Sequence, residues 1–252
     1  VNMEPRFGKK PISKKNVSSV PTIFDLSKKD HQKKLATLLN KGLVNQIGDD
    51  YIEQLKELFA VKNPTLAHQF SFEDEFKDFL KTAKMKLPLY LQGRWVFFPW
   101  LSALAHILED RDFQLVRTAR NRYLISPKEQ DVFYNAVVGI GGLSVGNSVA
   151  LAIALQGGAR HIRLADFDKL ALSNINRIRA GVQNLGLSKV KMTARQIYEI
   201  NPYAKVEIFS EGLNQKNIVK FFKGLDVIID ELDNIAVKFL IREQAKKRKI
   251  AV

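Results

Sequence analysis

The 252 residues include no cysteine, only three methionines and two tryptophans, and fewer acidic than basic side chains, 26 against 40. Without cysteine there is no disulfide framework, no thiolate metal site and no thiol nucleophile within these residues. A reducing cytoplasm is the simplest compartment for such a chain. The four histidines, His31, His68, His106 and His161, are too dispersed to suggest a metal site or a catalytic triad. The first twenty residues carry five basic side chains with no apolar run behind them, so no secretory signal is expected. Charge is also missing from Ala136 to Gly158, a stretch long enough to span a bilayer. Six glycines punctuate it, and they read as strand, turn and helix rather than one membrane helix.

What is present is an ordinary globular composition, 46% hydrophobic and 26% charged. It suits one large domain or two modest ones. The formal charge of +14 is uneven: residues 1–50 and 238–252 each carry +5. A surplus confined to the two ends reads as solvated termini, so no nucleic-acid partner is expected.

Three regions follow from the texture. Residues 1–22, with three prolines and five basic residues, read as a flexible basic tail. Residues 23–125 read as mainly helical: Leu35, Leu38 and Leu39, then Ile52, Leu55, Leu58 and Phe59, follow helical spacing. Phe70, Phe72, Phe76 and Phe79 suggest another helical face, Arg94–Trp100 is aromatic-rich, and Leu101–Leu108 reads as a short helix. Residues 126–252 alternate strand and helix. Strands are predicted at 136–140, 161–166, 205–210 and 225–230, and helices at 144–155, 188–200, 215–222 and 235–247. A fifth strand opens at Lys249, so the sheet reads as cut short. The pattern predicts an α/β domain, a mostly parallel Rossmann-like sheet with helices on both faces.

The chemistry gathers at the carboxyl ends of those strands. Gly139, Gly141 and Gly142 follow a strand and precede a helix, where backbone N–H groups and the helix dipole favour phosphate. Ser144 stands where a third glycine completes the usual fingerprint. Asp166, 20 residues after Gly146, is placed to accept ribose hydroxyls, with Asp168 as its rival. The plainer reading of either is a solvated strand end. Asn174, Arg177 and Lys189 supply polar and cationic groups suited to a triphosphate with a departing pyrophosphate. Asp230 and Asp233 close the fourth strand and suggest Mg²⁺, though Asp233 or Asn234 also suits a helix N-cap.

Six elements in this order carry a resemblance: Gly139–Gly142, Ala165–Asp168, Leu172–Arg177, Gly186–Lys189, Ile200–Pro202 and Ile229–Asn234. Residues 136–252 resemble the ATP-binding domain of the ThiF/MoeB/HesA adenylyltransferases, relatives of the ubiquitin-activating enzymes. The resemblance implies ATP and Mg²⁺ as cofactors, with Asp166 on the ribose and Asn174, Arg177 and Lys189 on the phosphates. It places Asp233 at the metal and α-phosphate. An arginine upstream of the loop, often from a partner subunit, reaches ATP in that family. Arg120 is carried forward for that place, with Arg117 and Arg122 as rivals. The implied reaction is adenylylation of a carboxylate, a protein or peptide C-terminus, in a homodimer. Departures are Ser144 in the loop, Ile178 where many relatives have glutamine and Glu231 where many have cysteine. The Leu143–Gly146 variant is more loosely similar to a bacterial branch joined to a nitroreductase-like flavin domain. A dinucleotide-binding oxidoreductase, using NAD(P) or FAD, and a non-catalytic nucleotide-binding partner module are the alternative readings.

Overall fold

The computed structural model describes residues 17–252; residues 1–16 of the expected basic tail lie outside them. The described remainder of that tail is hydrogen-bonded to the carboxy-terminal half of the chain. The carbonyl of Val17 and the hydroxyl of Ser19 accept hydrogen bonds from the Arg195 guanidinium, at 2.8 and 3.2 Å.

The amino-terminal layer runs β1 (Thr22–Phe24), α1 (Lys29–Asn40), β2 (Gln46–Asp49), α2 (Tyr51–Lys62), α3 (Phe72–Lys86), β3 (Arg94–Phe98) and β4 (Ala103–Ile107). The expected helices are there, but so is a four-stranded sheet ordered β1-β3-β4-β2. Only β2 and β4 pair in parallel. The predicted helix at Leu101–Leu108 is therefore corrected to β4. Ala, Leu and His do not oppose a helix locally. Pairing with β3 wins because it buries the alternate residues Leu104 and His106. β3 is central and aromatic, and its Trp95, Val96, Phe97 and Phe98 are all buried. Trp95 and Phe97 pack with Phe24, Leu35 and Leu104. Tyr51, Leu55, Leu58, Phe76 and Leu108 form a second cluster. Of the predicted phenylalanine stripe, Phe76 is buried, while Phe70 precedes α3 and is fully exposed.

Helices α4 (Asp110–Arg117) and α5 (Pro127–Asn135) lead into the carboxy-terminal domain. Ser126 and Glu129 form a capping box that starts α5, with Pro127 at its first position. Then come β5 (Val137–Gly141), α6 (Gly146–Leu155), β6 (His161–Ala165), α7 (Lys189–Ile200), β7 (Lys205–Phe209), α8 (Ile218–Phe222), β8 (Val227–Asp230) and α9 (Ile235–Arg248). The sheet is wholly parallel, ordered β7-β6-β5-β8. Ala251 adds a parallel bridge to Val227 where a fifth strand was predicted.

Both faces of this sheet are covered, as the near-continuous apolar strands require. Leu151, Ala154, Val190, Ala194 and Ile197 of α6 and α7 pack on one face with Ile140, Ile162 and Leu164. Phe221 and Phe222 of α8 and Ile241 of α9 pack on the other with Ile228. Each fully buried Phe contributes roughly 2–3 kcal/mol of burial. The layer meets the domain around the far end of α7. There Trp100 donates to Glu199, Gln114 to Asn201, and Tyr203 to the Leu108 carbonyl. No helix among the described residues is long and apolar enough to cross a membrane.

Candidate functional site: the crevice between β5 and β8

The chain winds outward from β5 through β6 to β7, then returns to lay β8 on the other side of β5. The loops after β5 and β8 therefore leave the sheet in opposite directions, and a crevice opens between them. Gly141 stands opposite Asp230 in the register, and the Glu231 N–H donates to the Gly141 carbonyl at 2.8 Å. Gly142 follows with φ +84°, and a Cβ there would meet the Glu231 carbonyl oxygen at 2.3 Å. The two loops touch at this residue, which no other side chain allows. Gly139 has a different reason: Phe221 and Leu225 occupy the space its Cβ would take, at 2.8 and 2.7 Å. It gives the core beneath α8 room to pack against β5.

α6 starts at Gly146 with no side chain capping it; of its first N–H groups, that of Ser148 turns back onto the Val145 carbonyl at 2.9 Å. Asp166, buried at the end of β6, uses one carboxylate oxygen to hold the Leu143 N–H and the other to hold the Asp168 N–H, both at 2.7 Å. It thus shapes the glycine loop, while each oxygen keeps further acceptor capacity. Lys189 opens α7 with its side chain only 3% exposed; Nζ lies 2.8 Å from Asp168 Oδ2 and 3.1 Å from Ser144 Oγ. The crevice thus brings together Gly141, Gly142, Ser144, Asp166, Asp168 and Lys189.

Other predicted residues stand differently. Asn174 turns its side-chain oxygen onto the Ala171 N–H and closes its own turn. Arg177 is exposed, bonded to the Ser173 carbonyl and Asn176 Oδ1 at 3.3 and 2.9 Å, so its guanidinium lies along its own segment. Ile178, one of the expected departures, is buried with Leu170, Leu187 and Met192 and pins that segment down. Asp233 is exposed and does not cap α9; Asn234 does, accepting from Val237 N–H at 3.1 Å.

Arg120 and its rivals are not in the crevice of their own chain. Arg117 binds the Ala154 carbonyl, Arg122 the Val61 carbonyl, and Arg120 is exposed in the turn whose Asn121 binds the Gln156 carbonyl. All three are at the carboxyl end of α6, and ten helical residues put about 15 Å between that end and the glycine loop. Arg120 therefore stands well away from the glycine loop of its own chain. A cavity of about 900 Å³ opens here too, lined by Gln114, Tyr123 and Tyr134 among others, and it is not the glycine-loop crevice.

Asp230 was expected beside Mg²⁺ with Asp233, whereas Asn147 carries no such expectation from the sequence. Asp230 buries its carboxylate, with Oδ1 accepting from Leu232 N–H and lying 3.4 Å from Lys238 Nζ, while Oδ2 has no partner. Asn147 in α6 is fully buried and bonded to Thr193 and Gln196 of α7. A buried polar amide in the first turn of a helix that is apolar apart from it and Ser148 is the signal that marks it.

Residues 125–252 match the family model described as the ThiF family. An uncharacterized protein of Mycobacterium tuberculosis (strain CDC 1551 / Oshkosh), MT1398, is 38% identical over 187 residues, 72% of this chain and 26% of its own length. That similarity is longer than residues 125–252, so it takes in part of the sequence before the family domain. A probable adenylyltransferase/sulfurtransferase MoeZ of the same organism is 36% identical over 110 residues, 43% of this chain and 27% of the relative. The chain thus spans about a quarter of these curated relatives. The crystal structure of E. coli tRNA N6-threonylcarbamoyladenosine dehydratase, TcdA, in complex with ATP superposes with a TM-score of 0.53 at 27% identity. The superposition covers 57% of this chain and 60% of that one.

Proposed function

The chain belongs to the ThiF family, and from that premise we propose that residues 125–252 bind ATP with Mg²⁺ and adenylylate a carboxylate. The observation that carries this reading is the buried Lys189, held at the mouth between Ser144, at the start of the α6 turn, and the half-exposed Asp168. A desolvated cation next to an uncapped helix N-terminus is matched to phosphate oxygens, and Asp168 offsets its charge until they arrive. The ATP complex of TcdA supports the same choice of nucleotide.

In this reading Asp166 accepts from the ribose, and Asn174, Arg177 and Lys189 meet the phosphates. Arg177 must leave its present bonds to do so; both are to exposed groups of its own turn, which water replaces. No three His, Cys, Asp or Glu side chains group as a metal cage among the described residues. That fits Mg²⁺, which is held largely by phosphate and water oxygens with one or two carboxylates. Asp233, exposed, and Asp230, with its unpartnered Oδ2, supply that number.

The substrate carboxylate oxygen attacks the α-phosphorus, the bond from that phosphorus to the bridging oxygen breaks, and pyrophosphate leaves with the electron pair. An acyl-adenylate remains. Backbone N–H groups of the glycine loop, Lys189 and Arg177 offset the repulsion of anion and polyanion and stabilise charge on the leaving group. A protein or peptide C-terminus is the proposed substrate, acted on by a homodimer in which the second copy offers Arg120. Calorimetry on the full-length protein tests the reading: ATP·Mg²⁺ is expected to bind more tightly than NAD or NADP. Tighter binding of either dinucleotide overturns it in favour of an oxidoreductase.

A further inference from the structure

Asn147 is the second residue of α6 and has no exposed surface. Its amide nitrogen donates to Thr193 Oγ1 at 2.9 Å and to Gln196 Oε1 at 2.8 Å, both on α7. Gln196 in turn donates through Nε2 to the carbonyl of Arg179. That carbonyl sets the polarity of the whole chain of bonds. It can only accept, so Gln196 must face it with nitrogen and face Asn147 with oxygen. Asn147 must then present its own nitrogen, and its Oδ1 is left buried without a partner.

An unsatisfied buried acceptor is a loss that folding alone gives no reason to keep. α6 and α7 already meet through Ala150, Ala154, Val190, Ala194 and Ile197, and an apolar residue at 147 would extend that contact. What the amide adds is direction. It joins α6, whose first turn follows the glycine loop, to α7 one turn beyond Lys189. Through Gln196 it reaches Arg179, two residues from Arg177.

We propose that Asn147 is a positioning residue that holds the glycine-loop helix, Lys189 and the Arg177 segment in one register for a triphosphate. The proposal rests on the ATP reading above. Its test is ATP·Mg²⁺ affinity by calorimetry on the full-length protein, with melting temperature measured alongside. Asn147→Leu removes the amide and keeps an apolar side chain of similar size. Gln196→Met cuts the link to Arg179 from the half-buried end. Each is expected to weaken ATP binding about tenfold, a 1.4 kcal/mol change, with the melting temperature kept. In a Lys189→Ala, Arg177→Ala background the Asn147→Leu effect should shrink below about twofold, because the groups it positions are gone.

A purely structural bond predicts the same penalty in both backgrounds, and that result overturns the proposal. So does wild-type ATP affinity in both variants, and so does failure of both to fold. If only Asn147→Leu fails to fold, Gln196→Met carries the same comparison. Wild-type protein that does not bind ATP removes the adenylylation reading itself, and the proposal with it.

Discussion

In the amino-terminal layer the buried polar side chain is His106, stacked between Tyr51 and Trp95 at 4.0 and 4.3 Å. Its ring nitrogens meet Asp49 Oδ1 and the Gln92 carbonyl, each at 2.8 Å. All four neighbours belong to the layer, although Asp49 is itself half-exposed. In the ThiF domain the buried polar side chains are more numerous: Asn147, Arg163, Asp166, Lys189, Thr193, Arg195 and Asn201. Two of them, Asp166 and Lys189, border the crevice after β5, where Lys189 pairs with the half-exposed Asp168, and Asn147 lies behind them between α6 and α7. The layer buries a polar group to lock strands together, whereas the domain buries polar groups around an opening. Desolvated charge facing a mouth, rather than buried polarity in general, is what marks the site.

The sharpest way to break this comparison uses one glycine from each region. Gly142 and Gly93 both have positive φ, +84° and +62°, and a Cβ on each would meet a carbonyl oxygen, at 2.3 and 2.4 Å. Alanine at either is expected to cost upwards of about 3 kcal/mol. Denaturant titration reads that loss. Gly142→Ala should also abolish ATP binding, while Gly93→Ala should leave the affinity of the folded fraction unchanged. If Gly93→Ala protein that stays folded has lost ATP binding, the layer is part of the site and the two regions do not divide in this way.

Next in size are the cations. Lys189→Ala and Arg177→Ala are each expected to slow ATP–pyrophosphate exchange about 10²-fold, or about 2.7 kcal/mol in the transition state, with less effect on ATP affinity. Lys189 is already in place and Arg177 is not, so ATP affinity should fall further for Lys189→Ala. Wild-type exchange in both variants would leave the family domain a partner-binding module.

The domain was legible because β5 and β8 read as short apolar runs and the strand ends carry glycine or aspartate punctuation. Val138–Gly142, Leu164–Asp168 and Ile228–Asp230 each show this. The layer was not. β2 has four exposed residues, Gln46 to Asp49, with no alternation to betray it, and Ala103–Ile107 is composed of residues that suit a helix equally well. Tertiary pairing decided both. At the site, loop residues could be placed by position along the sheet edge. The bond from Asn147 to Thr193 and Gln196 could not, because it depends on how two helices lie together, and the place of Arg120 depends on which end of α6 its turn meets.

Asp166→Ala has an intermediate expected effect. It frees the Leu143 and Asp168 N–H groups, and leaving two such donors poorly satisfied costs about 1–3 kcal/mol of stability. ATP affinity should fall with it, and turnover by less. Asp233→Asn should not change stability at all, since Asn234 is the cap of α9. It should raise the Mg²⁺ concentration needed for exchange if the carboxylate touches the ion.

The smallest expected effect is a pH dependence that separates the two regions again. In the domain, His161 on β6 shares a short hydrogen bond with Glu207 on β7. Burial pushes the His161 imidazole below its ordinary 6.5 more strongly than Glu207 raises it. Glu207 is drawn below 4.5: burial raises it, but the His161 bond and the charges of Arg163 and Lys205 outweigh that. For both groups the unfolded chain binds more protons than the folded one, so each contributes stability that is lost on acidification. The His161 contribution fades as pH falls from about 6.5, and that of Glu207 only below about 4.5. In the layer, Asp25 is held below 3.8 by its hydrogen bond from Ser27, so its contribution fades lower still. Hydrogen exchange followed from pH 7 to 5 should therefore show protection falling at β6 and β7, with His161→Gln flattening that slope. Asp25→Asn should leave the same window untouched. A slope that persists in His161→Gln would mean that another group sets the acid sensitivity of this sheet edge.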